Sequence, residues 1–302
     1  MPIPDFQTIM LPLMEEISDG LEHSTVSTYE QLGKKFKLTE EELNTFLPSG
    51  NQKIFYNRVF WAKAHLKMAG LIENTRRAHF RITNTGKSAL ATKPNQINIK
   101  FLRQYPAYVE NVRPKEDGRA NEEIAEGTIA STPEEILDAS YLNIRKNLAQ
   151  ELLQRVKSCS YGFFETLVVE LLVKMGYGGT FKEAGQSIGK SGDEGIDGII
   201  KEDRLGLDVI YIQAKRWKDV VGRPELQKFV GALAGQGAKK GVFITTSHFS
   251  PEARSYQPRN ETKIVLIDGE QLAQYMIDFN LGVTTQQTYE VKRVDGDYFE
   301  ED

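Results

Sequence analysis

The chain has 302 residues, about two domains' worth at the usual 100 to 200 residues each, and its 40% apolar and 26% charged side chains are those of a globular protein, neither fibrous nor disordered. One cysteine, Cys159, and four histidines exclude a disulfide framework, a four-cysteine zinc site and a histidine-rich metal cluster, and a reducing, cytoplasmic setting fits best. The net charge of −4 (38 Lys and Arg against 42 Asp and Glu) argues at first sight against a polyanionic partner, because a duplex binder offsets phosphate charge with cations.

The regional balance removes that argument. Residues 1–95 carry 12 basic and 10 acidic side chains, and residues 146–282 carry 18 and 17. The excess acid lies in 96–145, with 6 against 9, and in 283–302, with 2 against 6. Local placement of charge therefore decides the question of partners. The first residues, with Pro2, Pro4 and Asp5 and no basic run, do not read as a secretory signal. No stretch approaches the roughly 18 apolar residues of a membrane span.

Short helices are predicted over residues 6–17, 28–36 and 39–46, the last with Glu40, Glu41 and Glu42 at the positive end of its dipole. A longer helix follows over 52–69. Its Phe55, Val59, Ala62, Leu66 and Ala69 recur at steps of four and three and form one apolar stripe, and Gly70 ends it. Two short strand-like runs, 71–73 and 79–83, are joined through Asn74, Thr75, Arg76, Arg77 and Ala78, and another helix begins at Asn84 or Thr85. Helices, a longer helix and then a β-hairpin is the order of a winged helix, a helix-turn-helix variant. Away from its stripe the long helix carries Lys53, Tyr56, Lys63 and Lys67, with Asn57 and Arg58 on the shoulders, and the hairpin tip carries Arg76 and Arg77. These are the two elements that such a fold presses against DNA. Lysines at this spacing also describe a solvated helix face, and winged helices also mediate protein contacts.

From 93 to 132 the apolar periodicity lapses, and Pro94, Pro106, Pro114, Gly118 and Gly127 gather among acidic residues, the composition of a linker. Thr132 as N-cap and Pro133 at the first helical position open a helix that continues through Leu148, Leu152 and Val156. The expected organisation is thus a winged helix over 1–92, a linker over 93–132, a second domain over 133–282 and an acidic tail over 283–302.

In the second domain Ser160 caps a helix over 161–175 whose Phe164, Leu167, Val168, Leu171 and Leu172 make a buried stripe. Glu165 falls on the shoulder of that stripe and Glu170 points away. A half-buried carboxylate needs a partner, which makes Glu165 either an ion pair holding the helix on a sheet or a member of a site. A glycine-rich run ends in Gly195, Ile196, Asp197 and Gly198, and a strand follows over 207–215. Alternation puts Gln213 and Lys215 on one face of that strand, with Ala214 opposite. The turn between is short enough to fold 196–201 back as a hairpin, which brings Asp197 near Gln213 and Lys215. Hydrolysis of a phosphodiester uses a divalent ion and a positive group near the attacking water or the developing charge. Asp197 offers a carboxylate, Gln213 an amide oxygen, the Ala214 backbone a carbonyl and Lys215 an ammonium, a set suited to Mg²⁺ with Mn²⁺ as a substitute. Arg216, Lys218 and Arg223 follow closely and are placed to hold DNA phosphates or to sit as solvated loop charges. Trp217 and Tyr177 are candidate walls of a base-flipping pocket only by proximity to the site and read first as packing; His248, on a loop, reads as structural or solvent-facing before it reads as a general base. Helix 224–235, strands 241–246 and 263–267, and helix 270–279 complete a mixed sheet covered on both faces.

Gly192 to Gly198, then Tyr211, Ile212, Gln213, Ala214, Lys215, Arg216 and Trp217, then Val221 to Gln227, then Gly241 to Ser247, together with Asn57, Arg58, Val59, Trp61 and Ala62 on the long helix, resemble the Mrr-type restriction endonucleases. The resemblance spans nearly the whole chain. It implies an α/β catalytic domain of the PD-(D/E)xK nuclease fold and a type IV restriction enzyme that cuts methylated foreign double-stranded DNA with Mg²⁺. It also makes Asp197 the metal-binding aspartate, Gln213 the replacement for the wider superfamily's second carboxylate, and Lys215 the catalytic lysine. Glu165 matches the helix carboxylate at the edge of such sites. Cutting both strands needs two sites, hence a homo-oligomer. Two other functions share these features: a repair nuclease indifferent to methylation, and a DNA-binding regulator with a disused nuclease domain.

Overall fold

The computed structural model describes residues 2–112, 131–178, 196–203, 207–258 and 261–292. It divides into two compact units, one running to Leu142 and the other spanning Asn143–Val291.

In the first unit, Asp5 accepts hydrogen bonds from the backbone of Gln7 and Thr8 and so starts α1 (Phe6–Glu16). The two-residue strand β1 (His23–Ser24) leads through the N-cap Ser24 into α2 (Thr25–Lys35), which begins three residues before its expected start because Ser24 supplies the cap. A capping box between Thr39 and Glu42 sets α3 (Glu40–Leu43). The long helix α4 (Ile54–Met68) is followed by β2 (Ile72–Arg76), β3 (His79–Ile82) and α5 (Asn84–Ala91). The strands form one antiparallel sheet in the order β1, β3, β2. Phe55, Val59, Ala62, Leu66 and Ala69 are all buried, so the stripe read from the spacing is the face of α4 that meets α1 and the hairpin.

Residues 97–112 correct the expected linker. They form α6 (Ile99–Leu102) and α7 (Pro106–Val112), and Ile97, Leu102 and Tyr108 are buried in the first unit's core. The helices are too short to show a period, so their prolines dominated the reading although Pro106 merely opens α7. Residues 113–130 of the expected linker lie outside the described residues.

The helix α8 (Pro133–Ser158) starts where expected: Thr132 and Glu135 exchange backbone-to-side-chain bonds at its head. The division between the units falls within it, after Leu142 rather than at 132. In the second unit, α9 (Tyr161–Lys174) is capped by Ser160. It precedes β4 (Gly198–Lys201), β5 (Val209–Lys215), α10 (Arg223–Gly235), β6 (Lys240–Thr245), α11 (Pro251–Arg254), β7 (Lys263–Ile267) and α12 (Gly269–Asp278). The sheet order is β4, β5, β6, β7; the first pair is antiparallel and the other two are parallel. One face carries Ile210, Ile212, Ala214, Val242 and Ile244 against α9, α12 and the end of α8; the other carries Phe243 against Leu226, Phe229 and Leu233 of α10. A Cβ on Gly241 would lie 2.8 Å from Phe229 and Leu233, so the absence of a side chain there sets how closely α10 approaches the sheet. The result is an α/β domain with a mixed sheet between two helical layers.

Candidate active site

The antiparallel ladder pairs Gly198 with Ile212. It extends one step further, because the Asp197 N–H donates to the Ile212 carbonyl at 2.8 Å. That step delivers the Asp197 side chain to the end of β5, where its Oδ2 accepts the Ala214 N–H at 2.7 Å and the Gln213 amide Nε2. Gln213 is 3% exposed, so its bond to a carboxylate is largely shielded from water, where charge-assisted bonds are strongest. Ile212 and Ala214 point into the core on the α9 side, which leaves Gln213 and Lys215 together on the other face. The Lys215 carbonyl accepts from Thr246 N at 3.2 Å and from Thr245 Oγ1 at 2.9 Å, towards β6. Peptide groups alternate along a strand, so the Ala214 carbonyl lies on the Asp197 edge with its own N–H. The Lys215 ammonium stands 6.0 Å from the ring centre of Trp217.

Glu165 reaches this place from the first turns of α9, half-buried as its shoulder position requires. Burial raises its carboxyl above the ordinary glutamate range; the negative charge of Asp197 raises it further, and Lys215 pulls it back. Those couplings place Glu165, Asp197 and Lys215 in one electrostatic neighbourhood.

The donors that gather here are hard oxygens, the kind Mg²⁺ prefers. Among the described residues no three His, Cys, Asp or Glu side chains converge on a point, so a divalent ion at this place would draw on the Ala214 carbonyl besides Asp197 and Glu165. Gln213 meets Asp197 through its amide nitrogen. A carboxylate offers only acceptors, so the amide turns its NH₂ to Asp197 and acts on the orientation of that carboxylate. The glycine-rich run before Ile196 lies outside the described residues.

Arg216 is bolted in place: its Nη1 donates to the Lys157 carbonyl at 2.6 Å and its guanidinium lies 4.2 Å from the ring centre of Tyr161. Its Nε is buried without a hydrogen-bond partner. Lys218 is exposed, and Arg223, also exposed, stacks at 5.3 Å on Tyr256. His248 is exposed on its loop, its carbonyl taken by the Val221 N–H. Lys157 and Tyr161 were missed by sequence reasoning; the only signal was an aromatic residue directly after the cap of α9.

In the first unit the candidate DNA contacts separate. Tyr56 and Lys67 are exposed on α4. Lys53 bonds to Asn44 at 2.7 Å. Lys63 bonds to Thr25 at 2.9 Å and lies over Phe80 at 4.7 Å, and burial lowers its ammonium below the ordinary lysine range. Asn57 is 1% exposed and donates to Gln52, which corrects its assignment as a surface contact: it lies one step from the apolar stripe and turns inwards. Arg58 is also withdrawn, because its guanidinium pairs with Glu135 at 2.7 Å and bonds to the carbonyls of Ile3 and Pro4. Trp61 Nε1 donates to Glu134 at 2.7 Å, so two carboxylates of the first turn of α8 fasten on α4. At the hairpin, Arg76 pairs with Glu22 at 2.8 Å while 67% of its side chain stays exposed, and Arg77 is exposed.

A family profile described as restriction endonuclease matches residues 156–276, and one described as the Mrr N-terminal domain matches residues 6–92. The second unit therefore carries a restriction endonuclease catalytic domain. Over 99% of its length the chain is 36% identical to the type IV methyl-directed restriction enzyme EcoKMrr of Escherichia coli (strain K12), all of which is covered. The chain belongs to the Mrr family of type IV restriction endonucleases. Among solved structures, the MspJI restriction endonuclease in complex with a 27-mer oligonucleotide is 18% identical with a TM-score of 0.32; that likeness covers 70% of this chain and about half, 53%, of the MspJI chain. No helix among the described residues is long and apolar enough to cross a membrane.

Proposed function

We propose that this endonuclease hydrolyses the backbone of methylated double-stranded DNA with Mg²⁺, and that Asp197, Lys215 and Glu165 carry the reaction. The observation that supports this reading above all is the fastening of Asp197 to β5 by Gln213 and Ala214, on the edge where Lys215 ends the strand. A divalent ion, when bound, polarises the phosphoryl oxygen and lowers the pKa of water. The Asp197 carboxylate, the Ala214 carbonyl and Glu165, directly or through water, are the groups that would hold it. Gln213 and the Ala214 N–H keep the Asp197 carboxylate in one orientation, which lowers the reorganisation needed when the ion and DNA arrive. Lys215 sets a positive charge where negative charge grows on the phosphoryl oxygens, and the bond from phosphorus to one ester oxygen is exchanged for a bond to the oxygen of water. The first unit, read as a winged helix, holds the duplex through Lys67, Tyr56 and the Arg76 and Arg77 hairpin. Two copies of the chain supply the two sites that cutting both strands requires.

Methylated and unmethylated plasmids incubated with the protein, with Mg²⁺ or with EDTA, test this reading. Cutting of the methylated plasmid alone, and only with Mg²⁺, is the expected result. Equal cutting of both plasmids would replace it with a repair nuclease, and retention of DNA without cutting would replace it with a regulator.

A further inference from the structure

Beside Lys215 the second unit has an open cavity of about 400 Å³, lined by Lys157, Tyr161, Arg216, Trp217, Lys218 and Asp219. Four segments build it: the end of α8 brings Lys157, the first position of α9 brings Tyr161, the residue after β6 brings Thr246, and the segment after β5 brings Arg216, Trp217, Lys218 and Asp219. Its parts are held rigidly. Arg216 is anchored to the Lys157 carbonyl and stacked on Tyr161. The Trp217 carbonyl accepts from Thr246 Oγ1 at 2.8 Å, and its N–H donates to the Lys215 carbonyl at 2.9 Å.

Three cations face one carboxylate here, so the cavity favours an anion. The buried Nε of Arg216 lacks an acceptor, and a buried donor left unpaired in a native fold needs an explanation. Two aromatic rings line the same space, which an inorganic anion would not use. Tyr161 remains 59% exposed although Arg216 covers part of its ring, and a free π-face is a platform for any base. The volume falls within the range of small-ligand sites. Trp217 ties the cavity to the candidate active site, since its ring centre is 6.0 Å from the Lys215 ammonium.

We propose that this cavity holds one nucleotide of the DNA strand next to the phosphate that is cut, with the phosphate between Lys157, Lys218 and Arg216 and the base stacked on Tyr161. This rests on the nuclease reading and adds to it a site that senses a base directly alongside the chemistry. The shared ligand chemistry, a phosphate joined to a base, also belongs to a free nucleotide, and the test separates the two.

The test uses the full chain in EDTA, so that nothing is cut, with a fluorescein-labelled short oligothymidylate and an abasic strand bearing the same number of phosphates; binding is read by anisotropy. The wild type is expected to hold the base-bearing strand about tenfold more tightly, the lower part of the stacking range. Tyr161→Ala should erase that difference and Tyr161→Phe should keep it, while Lys157→Gln should weaken both strands alike by a few-fold. Equal binding of the two strands by the wild type, a comparison that needs no variant, would overturn the proposal. So would a tenfold difference that survives Tyr161→Ala, or displacement of the strand by free thymidine monophosphate at the strand's own affinity. Duplex cutting in Mg²⁺ is measured on the same wild-type preparation. A protein that neither cuts nor retains DNA overturns the nuclease reading, whereas one that cuts but ignores bases overturns the cavity alone.

Discussion

The two units treat their charged residues in opposite ways. In the second, groups far apart in sequence and individually unremarkable converge: Asp197 reaches the edge of β5 because one ladder bond beyond β4 carries it there, and Glu165 arrives from α9 close enough to feel both Asp197 and Lys215. In the first, a row of basic and polar residues that looked like one surface is dispersed. Asn57 goes into the core, Arg58 into an ion pair with Glu135, and Lys63 onto Phe80. Tyr56 and Lys67 remain exposed on α4. The contrast teaches that a strand's alternation specifies neighbours two residues apart whatever the surroundings, whereas the outer face of a helix is decided by whatever later packs on it.

The sharpest way to break this contrast is Lys215→Ala. Cleavage of methylated plasmid should fall by at least about a hundredfold, as for loss of one preorganised charge-stabilising group, with retention of DNA in gel shift nearly unchanged. Loss of cutting and retention together would mean that Lys215 holds DNA and that the second unit resembles the expected picture of the first.

Arg58→Ala probes the other side. Removing it leaves the half-buried Glu135 carboxylate with the Thr132 N–H but no cation, and should lower the stability of the first unit by about 2 kcal/mol, read from urea unfolding. A stability unchanged from wild type, combined with weaker DNA binding, would restore Arg58 to the DNA surface.

Lys67→Ala should weaken DNA retention by about threefold and reduce the slope of log affinity against log salt by about one. Stability should stay the same, because Lys67 is exposed. An unaltered salt slope would remove α4 from the DNA-holding surface.

The smallest expected effect is a pH dependence within the first unit. His65 bonds to the Tyr108 hydroxyl at 2.8 Å and stacks on Phe6 at 5.2 Å, and burial lowers its pKa from the ordinary 6.5. The unfolded chain then takes up a proton that the folded chain refuses. The stability held by neutral His65 is present in full above 6.5 and is lost as the pH falls through 6.5 towards the lower folded value. Melting of the wild type between about pH 7.5 and 5.5 should therefore fall more steeply than melting of His65→Gln. Parallel slopes would show that the two folded and unfolded forms bind protons at His65 alike.

Most of the fold was legible because its elements obey short-range rules. The stripe of α4, the cap of α9 by Ser160, the hairpin that returns 198–201 to β5 and the proline start of α10 each depend on residues within one or two turns. Where the reading went wrong, short elements were to blame: α6 and α7 bury Ile97, Leu102 and Tyr108 without enough length to show a period, and two-residue β1 has no sequence signal of its own. At the candidate site the face shared by Gln213 and Lys215 was legible, while the amide orientation of Gln213 was not, since it depends on which atoms of Asp197 lie opposite.

The amino-acid order by itself determined the family, the two-part organisation and the co-location of Asp197 with Gln213 and Lys215, because strand alternation and a tight hairpin are local geometry. Only the tertiary structure decided which cations stay in water, that carboxylates of α8 settle on α4, and that Lys157 and Tyr161 close around Arg216 and Trp217. Those outcomes depend on contacts between segments distant in sequence, where burial, desolvation and unpaired donors are set by the neighbour and not by the residue.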